Sequence, residues 1–404
     1  MSDEPSQLPG FARDAVRQVA TTKLGFTEGS CVIEYKPGSN CNGLIGEIHQ
    51  VTLRGGDRSE ELFCKIPPQD PERRGQFNSD ELFEREILLY SELLPVLFEF
   101  QRRKGIAEED GFFGIPKCYH THFDGEAGEA LILMENLRSR ELRMLNKLEP
   151  VDYDHARLLM ITLGRLHGLS LAVRDQQPEL FKRLKVADIL FKSIKASEPL
   201  LEMFSSALDG AISLLGPEEE SARERMEALK ADFVGSMDYC MDGANAEPYA
   251  VVNHGDCWVN NFMYGYKDGS PSELVLLDWQ LARYTSPALD LSYFLFCCTD
   301  EVFREKHYDE MLQIYHAALS DFLTLLGSDP SKLLPFDALL DQMRKFGKFA
   351  LIMGAFDIPV LCTDPAEMPD LGGELAFAQS PEAQQRYAYR MGGVIRDAVR
   401  YGIL

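Results

Sequence analysis

Three short stretches carry residue types and spacings that could do chemistry. The densest is His254-Gly255-Asp256-Cys257-Trp258-Val259-Asn260-Asn261; further on, an apolar run, Leu274 to Leu277, leads into Asp278-Trp279-Gln280. An Asp, an Asn five residues later and a second Asp after an apolar strand is the layout with which kinases place a catalytic carboxylate and two metal ligands. In that layout Asp256 accepts or orients the proton of a substrate hydroxyl. Asn261 returns a side-chain oxygen to Mg²⁺, and Asp278 supplies the carboxylate between the metal and the phosphates of ATP. Hard oxygen donors suit Mg²⁺, which keeps its other positions for water and phosphate. Taken singly, Asp256 and Asn261 read as a turn and a helix cap, and Asp278 as a strand-end cap. The combination points to chemistry. His254 reads as a brace for the loop.

The third stretch lies upstream. Lys65 sits inside the apolar strand pattern Leu62-Phe-Cys-Lys-Ile66, and Glu86 follows on a helix in Phe83-Glu-Arg-Glu86. A lysine within an apolar strand is costly unless paired. A Lys65–Glu86 pair that also holds the α- and β-phosphates meets that requirement. The alternative is a lysine that snorkels to water beside a solvated glutamate. Glu84 is the rival partner, but the apolar residues at 83, 87 and 90 leave Glu86 nearer the buried stripe. Gly38, Gly43 and Gly46 lie in a loop whose backbone N–H groups could cover phosphates, although a plain hairpin loop fits equally. Glu135 and Leu137 stand where a hinge would offer backbone groups to adenine. Asp290 opens an apolar helix and reads as an acid anchoring the catalytic-loop backbone; His167 reads as a buried helix histidine near the same loop.

The elements that must position these residues follow from periodicity. Alternating patterns at Cys31–Tyr35, Ile48–Leu53 and Glu61–Ile66 predict three strands. A helix is expected from about Asp80, ended by Pro95, then a strand pair at Ile115–His122 and Ala130–Met134. Beyond about residue 138 the pattern is mostly helical, with long helices at 155–173 and 218–241. A strand-loop-strand unit interrupts it at 249–278, and helices resume from Pro287. The expectation is an α+β chain: residues 1–137 form a small strand-rich lobe that clamps nucleotide. Residues 138–404 form a larger helical lobe with the catalytic loop, the metal loop and the acceptor pocket. Segments 185–245 and 340–375 are expected to line that pocket.

Composition narrows the partners. With 64 acidic against 41 basic residues the formal charge is −23, which repels nucleic acid and anionic lipid. Nine scattered cysteines without a Cys-x-x-Cys pair fit reduced thiols in the cytoplasm. No apolar run is seen to approach the ~18–20 residues that span a bilayer, and Phe349–Leu361, broken by Asp357 and Pro359, reads as core.

With these residues in place, the chain resembles the ecdysteroid kinase-like (CHK-kinase-like) family. That family stands within the choline kinase and aminoglycoside phosphotransferase group of protein-kinase-like fold. The resemblance rests on Leu62-Phe-Cys-Lys-Ile-Pro-Pro68, Phe83-Glu-Arg-Glu-Ile-Leu-Leu-Tyr90, Leu163-Gly-Arg-Leu-His167, His254-Gly-Asp-x-Trp-x-x-Asn261, Asp278-Trp-Gln280 and the tail from Arg396 to Leu404. It implies a two-lobed, ATP- and Mg²⁺-dependent kinase of a small-molecule hydroxyl, with steroids as the named substrate type. Two departures stand out: Trp279 where the family has Phe, and Asn42-Gly-Leu-Ile45 where a Glu-Asn-Tyr run would follow the loop glycine. Competing readings are a kinase of a cationic, choline- or aminoglycoside-like acceptor, a catalytically inactive small-molecule binder, and a metal-assisted phosphate hydrolase. The complete set Lys65, Glu86, Asp256, Asn261 and Asp278 argues against the inactive binder, and the N-terminal strand lobe with its paired lysine, a nucleotide clamp, argues against the hydrolase.

Overall fold

The structure, a computed structural model, describes residues 8–37, 46–76, 78–367 and 380–404. It falls into two compact units. The first holds the chain up to Pro95, Ile115–Arg143 and Val275–Gln280; the second holds Val96–Gly114, Met144–Leu274 and Leu281–Leu404. Neither unit is one continuous segment.

The first unit is built on a five-stranded antiparallel sheet of β1 (Val32–Pro37), β2 (Glu47–Gly55), β3 (Arg58–Ile66), β4 (Cys118–Asp124) and β5 (Glu129–Glu135), in the order β1-β2-β3-β5-β4. All five expected strands are present. One face of the sheet, with Val51, Leu53, Leu62, Cys64 and Leu133, packs on the helix Gly10–Thr22 through its Ala12, Val16 and Val19. Because side chains alternate across a strand, burying Leu62, Cys64 and Ile66 turns Lys65 to the opposite face. The helix Ser79–Leu88 provides its partner from that side.

Pro95 does not end this helical segment. A π-helical turn, Leu89–Leu93, carries it into a further helix, Leu94–Arg103, in which Pro95 is the second residue. The Leu94 N–H still bonds the Leu89 carbonyl, and a proline in a first turn gives up an N–H that has little intrahelical use.

The second unit is mostly helical. The helix Tyr153–Gln176 lies along Glu301–Leu326. A Cβ at Gly164 would come 2.7 Å from the Tyr315 carbonyl oxygen, and one at Gly168 3.3 Å from that of Leu319, so the glycines permit the close approach. Tyr153–Gln176 is, among the described residues, the one helix long and apolar enough by length and composition to cross a membrane, a run the sequence reading did not register. Of its most apolar window, 72% is buried inside the protein. The expected helix at 218–241 is two, Glu220–Ala231 and Phe233–Met241, parted at Asp232.

The unit at 249–278 also differs from expectation. β6 (Val251–Asn253) pairs with β9 (Arg283–Thr285), while β7 (Phe262–Lys267) and β8 (Ser270–Leu276) form a separate two-stranded sheet. At three residues, β9 is too short to leave a periodic signal. The helices Ala288–Cys298, Phe336–Phe346, Lys348–Cys362 and Pro381–Arg400 complete the unit. Asp357 and Pro359 stay inside the helix Lys348–Cys362 instead of breaking it. The segment is core, as expected, with Phe349, Leu351, Ile352, Ile358 and Leu361 buried.

Candidate active site

In the first unit Lys65 stands between two carboxylates. Its Nζ lies 2.6 Å from Glu86 Oε2 and 2.5 Å from Asp278 Oδ1. Glu86 is buried, 1% exposed, whereas Glu84, the rival, is exposed. Burial works against the Lys65 ammonium, yet the charges of Asp278 and Glu86 outweigh it and raise the lysine above its ordinary value. Burial pushes the Glu86 carboxyl up to about 7; Lys65 opposes the rise and Asp278 adds to it. The cluster thus carries two acids for one cation, an imbalance that an additional cation would relieve. Asp278 adopts φ +64°, a left-handed conformation rare for a non-glycine residue and concentrated at functional sites. Its backbone is pinned by its neighbour: Trp279 is fully buried, its Nε1–H donates to the Leu276 carbonyl at 3.4 Å, and its backbone N–H donates to Glu86.

In the second unit the loop after β6 is held by hydrogen bonds instead. Asn261 Nδ2 donates to the Asp256 carbonyl at 3.0 Å and to Asp256 Oδ2 at 2.8 Å, which orients the Asp256 carboxylate. With its amide nitrogen so used, Asn261 has its oxygen to offer a hard cation. Asp290, fully buried, accepts from the backbone N–H of His254 at 2.8 Å and of Gly255 at 2.9 Å. Behind it His167 bridges Asp290 Oδ2 (3.2 Å) and the Tyr315 hydroxyl (2.9 Å). Burial would raise the Asp290 carboxyl, but the bonds and charges of His167, His254 and the Gly255 N–H hold it below the usual range. His254 Nδ1 accepts the Asp256 N–H at 3.3 Å. Gly255 takes φ +87°, and a Cβ there would fall 1.9 Å from the Leu281 carbonyl oxygen. Only glycine fits.

Of the other expected site residues, Gly38 and Gly43 lie outside the described residues. Gly46 stands where a Cβ would be 3.2 Å from the Phe83 ring. Glu135 ends β5; its backbone N–H bonds the Lys117 carbonyl at 3.0 Å, and its carboxylate accepts from the Lys117 N–H at 2.8 Å. Leu137 opens the one-turn helix Leu137–Arg140 and is buried.

Sequence reasoning missed Arg283, which is 1% exposed. Its Nε donates to the Leu281 carbonyl at 3.0 Å and its Nη2 to the Gly255 carbonyl at 3.1 Å, clasping the two backbones that meet at Gly255. The available signal was an arginine inside the apolar run Leu281-Ala-Arg-Tyr284. Asp357, seen in the sequence as an interruption, is buried with Tyr293 Oη donating to it at 2.8 Å. Burial pushes it up to about 7.

No curated protein matches the chain. Among solved structures it is similar to the GDP complex of an aminoglycoside 2'-phosphotransferase-IIIa, at 12% identity and TM-score 0.46, covering 96% of this chain and 99% of that one. It is also similar to a Plasmodium vivax ethanolamine kinase (14% identity, TM-score 0.42, 90% and 81% covered) and to a microcompartment-associated aminopropanol kinase (11%, 0.42, 97% and 99%). Likenesses this distant decide neither substrate nor mechanism. The sequence model of one family matches residues 40–328, well over half of the chain: the protein belongs to the ecdysteroid kinase-like family.

Proposed function

We propose that the protein is an ATP- and Mg²⁺-dependent kinase that transfers the γ-phosphoryl group to a hydroxyl of a small molecule, a steroid or similar apolar alcohol. The observation that carries this reading is the buried Lys65 held between Glu86 and Asp278. A strand lysine with a helix glutamate and a metal-loop acid is how kinases grip the phosphates of a nucleotide. Family membership supports it.

In this reading Glu86 holds Lys65 extended toward the α- and β-phosphates. Gly38, Gly43 and Gly46 belong to the loop over the phosphates, and Glu135 and Leu137 offer backbone groups to adenine. Asp278 and Asn261 are the metal ligands. They fit a hard ion: one is an acid whose lysine partner is shared with a second acid, the other an amide with its nitrogen already engaged. Two protein ligands leave the remaining positions of the ion to water and nucleotide phosphates, as Mg²⁺ prefers. Bound there, Mg²⁺ neutralises charge on the phosphates.

Asp256 receives the proton of the acceptor hydroxyl as the new O–P bond forms and the bond between the γ-phosphorus and the bridging oxygen breaks, leaving ADP. Asn261 and Asp290 keep Asp256 in place during that transfer. The described cysteines are free, which accords with a cytoplasmic setting.

A cationic acceptor is the second reading, favoured by the net charge of −23. The test is incubation of the purified protein with Mg-ATP and panels of ecdysteroids, sterols, choline and aminoglycosides, with phosphorylated product read by mass spectrometry. Product from the steroids is expected. Turnover of the cationic panel alone would reverse the choice of acceptor.

A further inference from the structure

Away from the residues assigned to the kinase, one histidine of the second unit is held on both ring nitrogens. His155 lies in the first turn of the helix Tyr153–Gln176, whose N-cap is Asp152. Both carboxylate oxygens of Asp152 lie 2.8 Å from His155 Nδ1, and Oδ1 also accepts the His155 backbone N–H at 3.1 Å. On the far side of the ring, Nε2 is 2.9 Å from the hydroxyl of Tyr266, near the end of β7. Tyr264, two residues earlier and on the same face of the strand, fixes the ring between them. It meets the imidazole edge to face at 4.7 Å, and its hydroxyl donates to the His155 carbonyl at 3.5 Å.

The partners decide where the protons sit. A carboxylate only accepts, so Nδ1 carries the proton and donates to Asp152. In the neutral ring Nε2 then accepts, and Tyr266 is the donor. Burial works against the Asp152 carboxylate, but the bonds from the His155 ring and backbone hold it below its ordinary range, so it stays ionised. An acid, a histidine oriented by it and a hydroxyl on the other ring nitrogen make the relay that turns a hydroxyl into a nucleophile. His155 is 9% exposed and Tyr266 42%. The base is sheltered, while the tyrosine ring reaches solvent.

Exposure alone does not make a tyrosine of this kind. Tyr239 and Tyr389 are 40% and 48% exposed. The Tyr389 hydroxyl donates straight to Asp300 at 3.1 Å, with no histidine between them to take the proton. The kind of electrophile follows from charge. A chain of net charge −23, with the Asp152 carboxylate behind the base, repels polyanionic donors and leaves uncharged ones free to approach.

We propose that Tyr266 is an acyl-modification site that takes its acyl group from an uncharged, activated ester. Tyr266 Oη bonds to the carbonyl carbon of the ester as His155 Nε2 takes the phenol proton. The bond from that carbon to the leaving oxygen breaks, the leaving group departs with the electron pair, and Tyr266 keeps the acyl group as an aryl ester. His155 then gives its proton to the departing oxygen. Asp152 is a positioning residue: it holds the ring by Nδ1–H and balances the imidazolium while it lasts.

The experiment is incubation of the full chain with p-nitrophenyl acetate, with the acetylation of each tyrosine followed over time by mass spectrometry. Tyr239 and Tyr389 serve as internal references of similar exposure. Tyr266 is expected to be acetylated about tenfold or more faster than either, and its rate to fall about tenfold or more in His155→Gln, which removes the base. Asp152→Asn keeps a good N-cap, and with it the start of the helix, but loses the charge behind the imidazole; a severalfold slower reaction is expected there. Equal rates at the three tyrosines of the wild type would overturn the proposal. So would a Tyr266 rate unchanged in both variants, which would leave these hydrogen bonds as ties between β7 and the helix.

Discussion

The Lys65 cluster and the Asp256 loop hold their acids in place by opposite means. Lys65 is shared by two carboxylates, one of them raised to about 7, so that cluster is defined by unbalanced charge. The Asp256 loop has its carboxylates fixed by hydrogen-bond donors: Asn261 on Asp256, and two backbone N–H groups with His167 on Asp290. A cluster with excess negative charge answers to added cations, which suits metal and nucleotide. A loop saturated with hydrogen bonds keeps one geometry, which suits a residue that must meet a hydroxyl in a fixed direction.

The largest expected effect breaks the loop side of this contrast. Asp256→Ala should reduce single-turnover phosphoryl transfer by ~10²–10⁴-fold, the contribution of general base catalysis, with Mg-ATP affinity within about twofold of wild type. Retention of more than about a tenth of the activity would remove Asp256 from the catalytic role.

Next, stability should separate the members of the charged cluster. Lys65→Met leaves two carboxylates facing each other and should cost roughly 3–5 kcal/mol in denaturant unfolding. Asp278→Ala leaves a one-to-one Lys65–Glu86 pair and should be close to neutral. Equal losses in the two variants would mean that the imbalance is not what defines the cluster.

A third change turns to an acid of the second unit that is governed by burial. Asp357 has the Tyr293 hydroxyl and is pushed up to about 7 by burial. A carboxyl raised above its unfolded value binds more protons folded than unfolded, so stability falls as pH rises from about 4 to about 7. Asp357→Asn should therefore gain roughly 2–4 kcal/mol over wild type at pH 8 and nothing at pH 4. A gain that is the same at both pH values would contradict the assignment.

The smallest effect is a control. Glu84 is exposed, so Glu84→Gln should change stability by less than about 0.5 kcal/mol.

Much of this was legible in the sequence, because the residues concerned leave strong local signals. Lys65 interrupts an apolar alternation, and Glu86 sits on the buried stripe where helical spacing puts it. The Asp256, Asn261 and Asp278 spacing is tied to one loop and one strand end. What escaped was long-range or very short. Arg283 gains its role from the Gly255 and Leu281 carbonyls, the first of them 28 residues away along the chain. β9 spans three residues and pairs with β6, a partner that no local pattern reveals. Pro95 and Pro359 were read by their usual effect, yet a π turn accommodates one and the interior of a buried helix holds the other. The helix Tyr153–Gln176 carries its apolar character in composition alone, although glycines, arginines and His167 punctuate the run.

The central claim is that Lys65 and Asp278 receive a metal-bound nucleotide. Its most direct test is calorimetric titration of Mg-ATP into wild type and Asp278→Ala, with and without Mg²⁺. The account predicts Mg²⁺-dependent binding in the wild type. In Asp278→Ala it predicts affinity at least tenfold weaker, about 1.4 kcal/mol or more, with the Mg²⁺ dependence gone. Unchanged affinity and unchanged Mg²⁺ dependence in that variant would contradict it.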